Sequence, residues 1–588
     1  MNPPAEPRDT GTLNLAFAQA LLDELRAAGV ATAVVCPGSR STPLTLAVAR
    51  SGLPYSVHVD ERSAAFHALG YAKASGRPVV LVCTSGTAGA NFLPAVAEAS
   101  HARVPLVVLT ADRPPELRAW GAAQTLEQRT FYAGFARWSE EAPCPSEGVA
   151  LDYARALARR AACAATGPAP GPVHLNLPFR EPLVPDSVPM DVRAPAADRA
   201  PAASVVVSAH DLSPDVVREL LGVERGVLVF GPDAWDASLA HAARDLADTL
   251  GWPAIADPAS GLRAGTALEG ALIHAADVLL RDPDTAAALA PEFVLRFGGQ
   301  PTSKACNQWL ARHGAAPVWL ADPAAGFRDP QHRAARVLRA SAAQVAAALR
   351  ASGATASMST LAWRTRWQDA DRAALAAITD TLDAEPRLLA PQLARSLWAT
   401  LPHGAALYAA NSMAIREVDS FAGPRPAELR LLANRGVNGI DGQVSAALGA
   451  AAAHGRPTVL WCGDLTLLHD VSGLLAGRLH GGNLTVVVSN DDGGGIFEYL
   501  PVARSVPREV FEPLFAVPHG LDLCAIARGF GWQASRAASV VELEAMLSRA
   551  LAGGLHVIEV PMDRAANTAF HATINAAVRQ RLRGEARR

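Results

Sequence analysis

The chain is short of lysine, of paired cysteines, of net charge and of long apolar runs. Only two of its 53 basic residues are lysines, Lys73 and Lys304; the rest are arginine. Against that background a lysine in a pocket is a candidate for chemistry. The seven cysteines (Cys36, Cys83, Cys144, Cys163, Cys306, Cys462 and Cys524) are scattered without a CxxC pair. That pattern excludes a disulfide frame or zinc site and implies buried thiols in a reducing, cytoplasmic setting. With 53 basic against 56 acidic residues the net charge is −3, so the basic excess of a general nucleic-acid binder is missing. No apolar run approaches the roughly 18 residues of a membrane span. The opening MNPPAEPRDT has no apolar core, so no secretory signal is expected. P-loop, GxSxG, HExxH and strand-linked GxGxxG signatures are also missing, which removes the routine NTPase, hydrolase, zinc-protease and dinucleotide readings.

What is present is a long, apolar chain. Its 588 residues are 50% hydrophobic and 19% charged. At about 150 residues per domain this predicts three or four domains, and it excludes global disorder. Residues 12–29 have helical spacing and end in glycine. The strand-like runs TAVVC, PVVLVC and VPLVVLTAD then alternate with the helical stretches ERSAAFHALGYAKASG and NFLPAVAEASHA. Such alternation predicts doubly wound parallel sheets. Residues 186–205 and 351–360 read as linkers. They divide the chain into a first α/β domain (1–185), a central α/β domain (206–350, with GVLVFG, EFVLRFGG and PVWLAD) and a third (361–588). The arginine-rich C-terminal tail reads as a solvated helix end. The central domain's Arg281, Arg296 and Arg312 read as surface arginines, although they would also suit an anionic effector.

The first and third domains echo each other. GRPVVLVC starts at Gly76 and GRPTVLWC at Gly455, and each lies 36 residues before an aspartate that ends a strand, Asp112 and Asp491. This predicts two domains of one topology, against a chance coincidence of unit lengths.

Asp464 and Asp491 are the sharpest local signal. Each follows a buried strand (TVLWCGD and LTVVVSND), and a crossover between them brings both to one rim of a sheet, where open α/β folds bind ligands. Two carboxylates beside Gly493, Gly494 and Gly495 suit a hard cation with a phosphate. The spacing suits loop-capping aspartates equally well. Glu61 opens a helix after VHVD; position alone favours an ordinary first-turn glutamate. Arg40, Arg113, Arg416 and Arg435 follow strand-like runs, where an arginine cluster would bind carboxylates in a two-pronged manner. In so arginine-rich a chain, scattered surface arginines are the competing reading.

Together the GD-to-NDxG segment GDLTLLHDVSGLLAGRLHGGNLTVVVSNDDGGG and the domain echo resemble the thiamine-diphosphate-dependent enzymes. The longer motifs CPGSRSTPL (36–44), HVDERSAAFHALGYAKASGRP (58–78), TSGTAGANFLPAVAEA (84–99), LTADRPPEL (109–117), RGVNGIDG (435–442) and GGGIFEYLP (493–501) narrow the resemblance to one carboligase branch. The resemblance implies pyrimidine-binding, central and diphosphate-binding domains. It implies thiamine diphosphate with Mg²⁺, or with Mn²⁺ in the same shell. It implies decarboxylation of 2-oxoglutarate and transfer of the remaining unit to isochorismate in menaquinone biosynthesis.

By motif position, Glu61 would hydrogen-bond the aminopyrimidine N1′. Asp464, Asp491 and the Gly493 carbonyl would hold the metal, and Ile440 would wedge the cofactor into its bent form. Ser412, Arg416 and Arg435 would line the substrate pocket beside Ile496, Phe497 and Leu500. Ser39, Arg40, Arg113, Gln124 and Lys304 would complete an anion site. Leu465 replaces a third glycine of the wider motif, Asp491 stands where many relatives have asparagine, and Ala305 leaves Lys304 as a lone cation. The family implies a homodimer or homotetramer with active sites at the subunit interface. The alternatives are another thiamine-diphosphate-dependent 2-oxoacid decarboxylase or acetohydroxyacid-type synthase, and a non-catalytic binding homologue. The presence of Glu61, Asp464 and Asp491 speaks against the last.

Overall fold

A computed structural model describes residues 9–188, 212–233, 236, 238–313 and 315–585. Most of the expected first linker, 189–205, lies outside the described residues. The chain packs as two compact units. One comprises Met1–Val207, Asn434–Gly455 and Asp470–Gly482; the other comprises Ser208–Ala433, Arg456–His469 and Asn483–Arg588.

The first unit holds a six-stranded parallel sheet of β1 (Thr32–Val35), β2 (Tyr55–Val57), β3 (Val79–Cys83), β4 (Leu106–Asp112), β5 (Trp138–Glu141) and β6 (Pro172–Pro178), in the order β2-β1-β3-β4-β6-β5. Every residue of β3, β4 and β6 is buried, as continuous apolar runs require when helices cover both faces. Val80, Val82, Val107 and Leu109 pack with Leu21 and Leu25 of the Thr10–Ala27 helix and Leu157 of the Leu151–Thr166 helix. The Glu61–Ser75 helix starts on the N-cap Asp60, whose side chain accepts from the Ser63 N–H, and stops at left-handed Gly76. The Gln443–His454 helix, equally ended by left-handed Gly455, packs along it.

The second unit contains two further parallel sheets. The central one comprises β7 (Gly226–Phe230), β8 (Ala254–Ala256), β9 (Phe293–Phe297), β10 (Val318–Ala321) and β11 (Ala334–Leu338), in the order β11-β10-β9-β7-β8. The other comprises β12 (Ala406–Ala409), β13 (Arg430–Leu432), β14 (Thr458–Gly463), β15 (Leu484–Asn490), β16 (Gln533–Arg536) and β17 (Leu555–Pro561), in the order β13-β12-β14-β15-β17-β16. That is the connectivity of the first sheet repeated. An offset of 379 residues carries Gly76 onto Gly455, Val79 onto Thr458 and Asp112 onto Asp491, so the echo in the sequence is an echo in the fold.

Three local readings need correction. The Met358–Ala384 helix begins inside the expected second linker, capped by Ser357, because Trp363 and Trp367 need burial. The C-terminal helix Arg564–Glu585 is more than a solvated end: Phe570, Ile574 and Val578, spaced by four, are buried along one stripe. Arg296 is buried, 3.7 Å from Asp329, so it is not a surface charge, whereas Arg281 is exposed as expected and pairs with Asp277 at 2.6 Å. Among the described residues no helix is long and apolar enough to cross a membrane. All seven cysteines are free.

Candidate active site

In both outer sheets the strand order reverses beside the first strand, between β1 and β3 and between β12 and β14. Open α/β sheets bind ligands at the carboxyl ends on either side of such a switch. Apart from Lys304, which follows β9 of the central sheet, the sequence-nominated residues lie on segments that follow strands of these two sheets.

At the rim of the first unit, Glu61 is half-buried at the start of its helix, close enough to Cys36 and Cys83 for its charge to add to the burial that pushes both thiols up. Ser39 is exposed in the short turn after β1. Arg40 beside it is buried and committed: it donates to the Phe179 carbonyl at 3.0 Å and to Glu181 at 2.8 Å. The nearby Arg113 is the more available cation. Its guanidinium donates to the hydroxyl of Ser85 and, at 3.0 Å, to the Gln124 carbonyl. Burial and the charge of Arg40 both lower its affinity for a proton. Gln124, in a left-handed conformation, donates its side-chain amide to the Ser85 carbonyl at 2.9 Å. Arg113, Gln124 and Ser85 therefore form one polar cluster, with Arg40 adding charge behind it.

The RGVNGIDG loop belongs to the same unit. The buried Glu98 carboxylate accepts from the N–H groups of Gly436 at 2.8 Å and Val437 at 2.7 Å. Lys73 lies 3.6 Å from Glu98 and donates to Asn434 at 2.8 Å. Burial lowers the Lys73 pKa, and Glu98 counteracts that shift. The lysine singled out by its rarity thus fixes the loop that carries Arg435 and Ile440, both half-buried.

At the rim of the second unit, Ser412 follows β12 with a φ of 70°, a strained value for a residue with a side chain. Arg416 lies one turn on and donates to the Ser412 carbonyl. Asp464 follows β14 and opens the Asp464–His469 helix, and Asp491 follows β15, the neighbouring strand in the sheet. One Asp464 oxygen accepts from Gly493 N–H at 2.8 Å and from Leu465 N–H comes a 2.5 Å bond to the other. Burial raises the Asp464 pKa; burial and then the charge of Asp464 push Asp491 up to about 7. A buried and a half-buried carboxylate that repel each other suit a divalent cation. The backbone beside them is tightly packed: a Cβ on Gly495 would lie 1.7 Å from Asp491 Oδ2, and one on Gly493 would lie 2.0 Å from the Ala516 carbonyl oxygen, so both positions demand glycine. The oxygen donor set therefore fits a hard cation.

Ile496 and Phe497 form the short helical turn Gly495–Tyr499, and Leu500 ends it, exposed. Phe497 meets Phe515 edge-on at 5.8 Å. Lys304 is exposed at the start of the Lys304–Arg312 helix, and Ala305 behind it is buried. The sequence reading missed His519, which reaches Asp464 from a loop with no periodic signal, and Glu98, which looked like one more residue of a helix.

Three family models match in the order of the folded parts. They are the thiamine pyrophosphate enzyme N-terminal TPP binding domain (residues 15–131), the middle domain of thiamine pyrophosphate enzymes (210–409) and the C-terminal TPP binding domain (421–560). Fold and match define a thiamine pyrophosphate enzyme. The benzoylformate decarboxylase of Polynucleobacter necessarius shares the fold, with a TM-score of 0.67 over 93% of this chain and 98% of its own, at 17% identity. Among curated proteins, the 2-succinyl-5-enolpyruvyl-6-hydroxy-3-cyclohexene-1-carboxylate synthase of Chloroflexus aurantiacus is 43% identical over 94% of both chains. That of Myxococcus xanthus is 44% identical over 95% of this chain and 96% of its own. The chain belongs to the 2-succinyl-5-enolpyruvyl-6-hydroxy-3-cyclohexene-1-carboxylate synthase family of thiamine pyrophosphate enzymes.

Proposed function

We propose that the chain decarboxylates 2-oxoglutarate and joins the remaining four-carbon unit to isochorismate, releasing 2-succinyl-5-enolpyruvyl-6-hydroxy-3-cyclohexene-1-carboxylate and CO₂ for menaquinone biosynthesis. The observation that carries this reading is identity above 40% along nearly the whole length of synthases of that name. When bound, thiamine diphosphate supplies the electron sink that decarboxylation and carbon–carbon bond formation need.

The chain's own residues divide the remaining work. Glu61 holds a proton at the pyrimidine N1′. Asp464, Asp491 and the Gly493 carbonyl hold Mg²⁺ or Mn²⁺ and so neutralise the diphosphate. Ile440 sets the bend of the cofactor. Both substrates are dicarboxylates, so their recognition needs cations and amide donors. Arg113 and Gln124, braced by Ser85, suit one carboxylate, with Ser39 nearby on the turn. Arg40, tied to Glu181, supports them with charge rather than as a free fork. Arg416, Arg435 and Lys304 complete the anion set. Ser412, Ile496, Phe497 and Leu500 would give the site its polar and apolar walls and would keep water from the reacting carbon.

The domain reading, a pyrimidine-binding domain (1–185), a central domain (206–350) and a diphosphate-binding domain (361–588), belongs to this proposal. So does a homodimer or homotetramer in the cytoplasm. Tyr55, Val57 and Val59 lead into Glu61 and are 54%, 40% and 63% exposed at the edge strand β2. An apolar edge beside a catalytic glutamate supports burial in an assembly.

The test is CO₂ release from 2-oxoglutarate with thiamine diphosphate and Mg²⁺, with and without isochorismate. Strong release that needs isochorismate and consumes its absorbance supports the proposal. Release indifferent to isochorismate overturns the acceptor assignment, and turnover of pyruvate alone overturns the donor assignment; either makes the chain a different 2-oxoacid enzyme.

A further inference from the structure

We infer that His519 is a positioning residue for the cation site, acting through Asp464 and held in place by Asp492, Asn490 and Glu559. The inference rests on the proposed role of Asp464 and Asp491. His519 lies in no catalytic motif, yet its ring is nearly buried and its Nε2 stands 3.3 Å from Asp464 Oδ2. Its tautomer is set by the backbone: the Leu521 N–H points at Nδ1 from 3.0 Å. Nδ1 is therefore the acceptor, and Nε2 carries the hydrogen that faces the carboxylate.

The same carboxylate oxygen takes the Gly493 N–H at 2.8 Å, while the other takes the Leu465 N–H. Three fixed donors leave Asp464 one orientation. Hydrogen bonds that orient a ligating side chain commonly matter 10- to 100-fold in metal affinity.

The loop that bears His519 is itself anchored to the cation-site turn. Asp492 Oδ1 accepts from the N–H groups of His519 at 2.9 Å and Gly520 at 2.8 Å. The Asp492 N–H donates to Asn490 Oδ1 at 3.0 Å, and Asn490 donates at 2.7 Å to the buried Glu559. Glu559, on the neighbouring strand β17, also receives Arg536 at 3.0 Å. A chain of bonds thus runs from β17 through the turn after β15 to the 519 loop and back to Asp464 at the end of β14. The two carboxylates sit on different strands, and this frame ties their loops together.

The experiment uses the purified full chain. Thiamine diphosphate binding is measured by calorimetry at a series of Mg²⁺ concentrations, and the melting temperature of the cofactor-free protein is measured in parallel. His519→Ala should raise the Mg²⁺ needed for half-maximal cofactor binding roughly 10- to 100-fold. The cofactor-free melting temperature and the turnover at saturating Mg²⁺ should stay close to the parent's. His519→Gln, whose amide can place a donor near the Nε2 position, should recover most of the loss. Asp492→Gly keeps the left-handed backbone but frees the 519 loop, and should shift the Mg²⁺ requirement the same way; it serves if His519→Ala does not fold.

Unchanged Mg²⁺ dependence in His519→Ala would overturn the inference. Equal weakening in His519→Ala and His519→Gln, together with a lower cofactor-free melting temperature, would also overturn it, because the role would then be scaffolding. Failure of the parent to bind thiamine diphosphate with Mg²⁺ is a separate result: it overturns the cofactor reading itself, before any variant is made.

Discussion

Gly70 and Gly449 are each other's counterparts: a Cβ on Gly70 would lie 1.8 Å from the carbonyl oxygen of Ala446, and one on Gly449 would lie 1.9 Å from that of His67. The 379-residue offset carries Gly70 onto Gly449 and His67 onto Ala446. The helices Glu61–Ser75 and Gln443–His454 therefore pack through a local two-fold, with backbone against backbone at two points. The same offset carries Glu61 onto Ile440, so the proposed catalytic glutamate and the proposed cofactor wedge occupy matching places at the two helix starts.

Gly70→Ala or Gly449→Ala should destabilise the protein despite the better helix propensity of alanine, worth about 1 kcal/mol. The clash is with backbone, which cannot rotate away as a side chain can. A net loss of about 1–3 kcal/mol is expected, seen as a lower denaturation midpoint. Equal or greater stability in both variants would contradict the close approach.

Glu61→Gln should cut turnover by roughly 10²- to 10⁴-fold, the usual worth of a positioned proton-transfer group, while thiamine diphosphate binding measured by calorimetry is largely kept. Unchanged turnover would remove Glu61 from the chemistry.

Chelation followed by gel filtration should abolish turnover, and Mg²⁺ or Mn²⁺ added with thiamine diphosphate should restore it. Asp464→Ala should resist that rescue, since it removes both a proposed cation ligand and the acceptor for Gly493 N–H. Metal-independent turnover after chelation would contradict the assigned site.

Two buried histidines of the first unit should each oppose folding in acid. The tilted rings of His58 and His67 lie 4.7 Å apart, and His480 lies 4.8 Å from His58. Burial, then the neighbouring imidazoles, holds His58 down at about 2; burial, then His480, holds His67 at about 3. Ser56 Oγ, 3.0 Å from the His58 ring, offers no compensating charge. In the unfolded chain both bind a proton below about 6.5, and in the folded chain they do not. The contribution of these two groups is therefore full above about pH 6.5 and falls as pH drops below it, by up to about 1.4 kcal/mol per pH unit for each group. Asp470, in the same unit and pushed up to about 7 by burial, takes up a proton on folding and slopes the opposite way, so the check is a difference: chemical denaturation between pH 7.5 and 5 should show a smaller loss toward acid in His58→Gln than in the parent.

Lys73→Met should loosen the RGVNGIDG loop. It removes the charge facing the buried Glu98 and the donor to Asn434. Breaking such a pair costs about 3–5 kcal/mol. Because the loop carries Arg435, KM for substrate should rise along with the loss of stability. Unchanged KM would confine Lys73 to folding.

The sequence by itself determined the sheets, their repetition and the places of Asp464, Asp491 and Glu61. Each of these is a local signal: an apolar run fully covered on both faces, a polar residue at its end, a capped helix after it. Only the tertiary structure decided which of the nominated residues are free to act. Arg40 and Glu181 are 141 positions apart, so no spacing foretells that the arginine is committed. His519 reaches Asp464 across 55 residues from an irregular loop. Gly70 and Gly449 are ordinary helix glycines until the two helices touch. Periodicity reports which face of an element is buried, but the partner it meets there depends on how distant segments pack, and that information is spread over the whole chain.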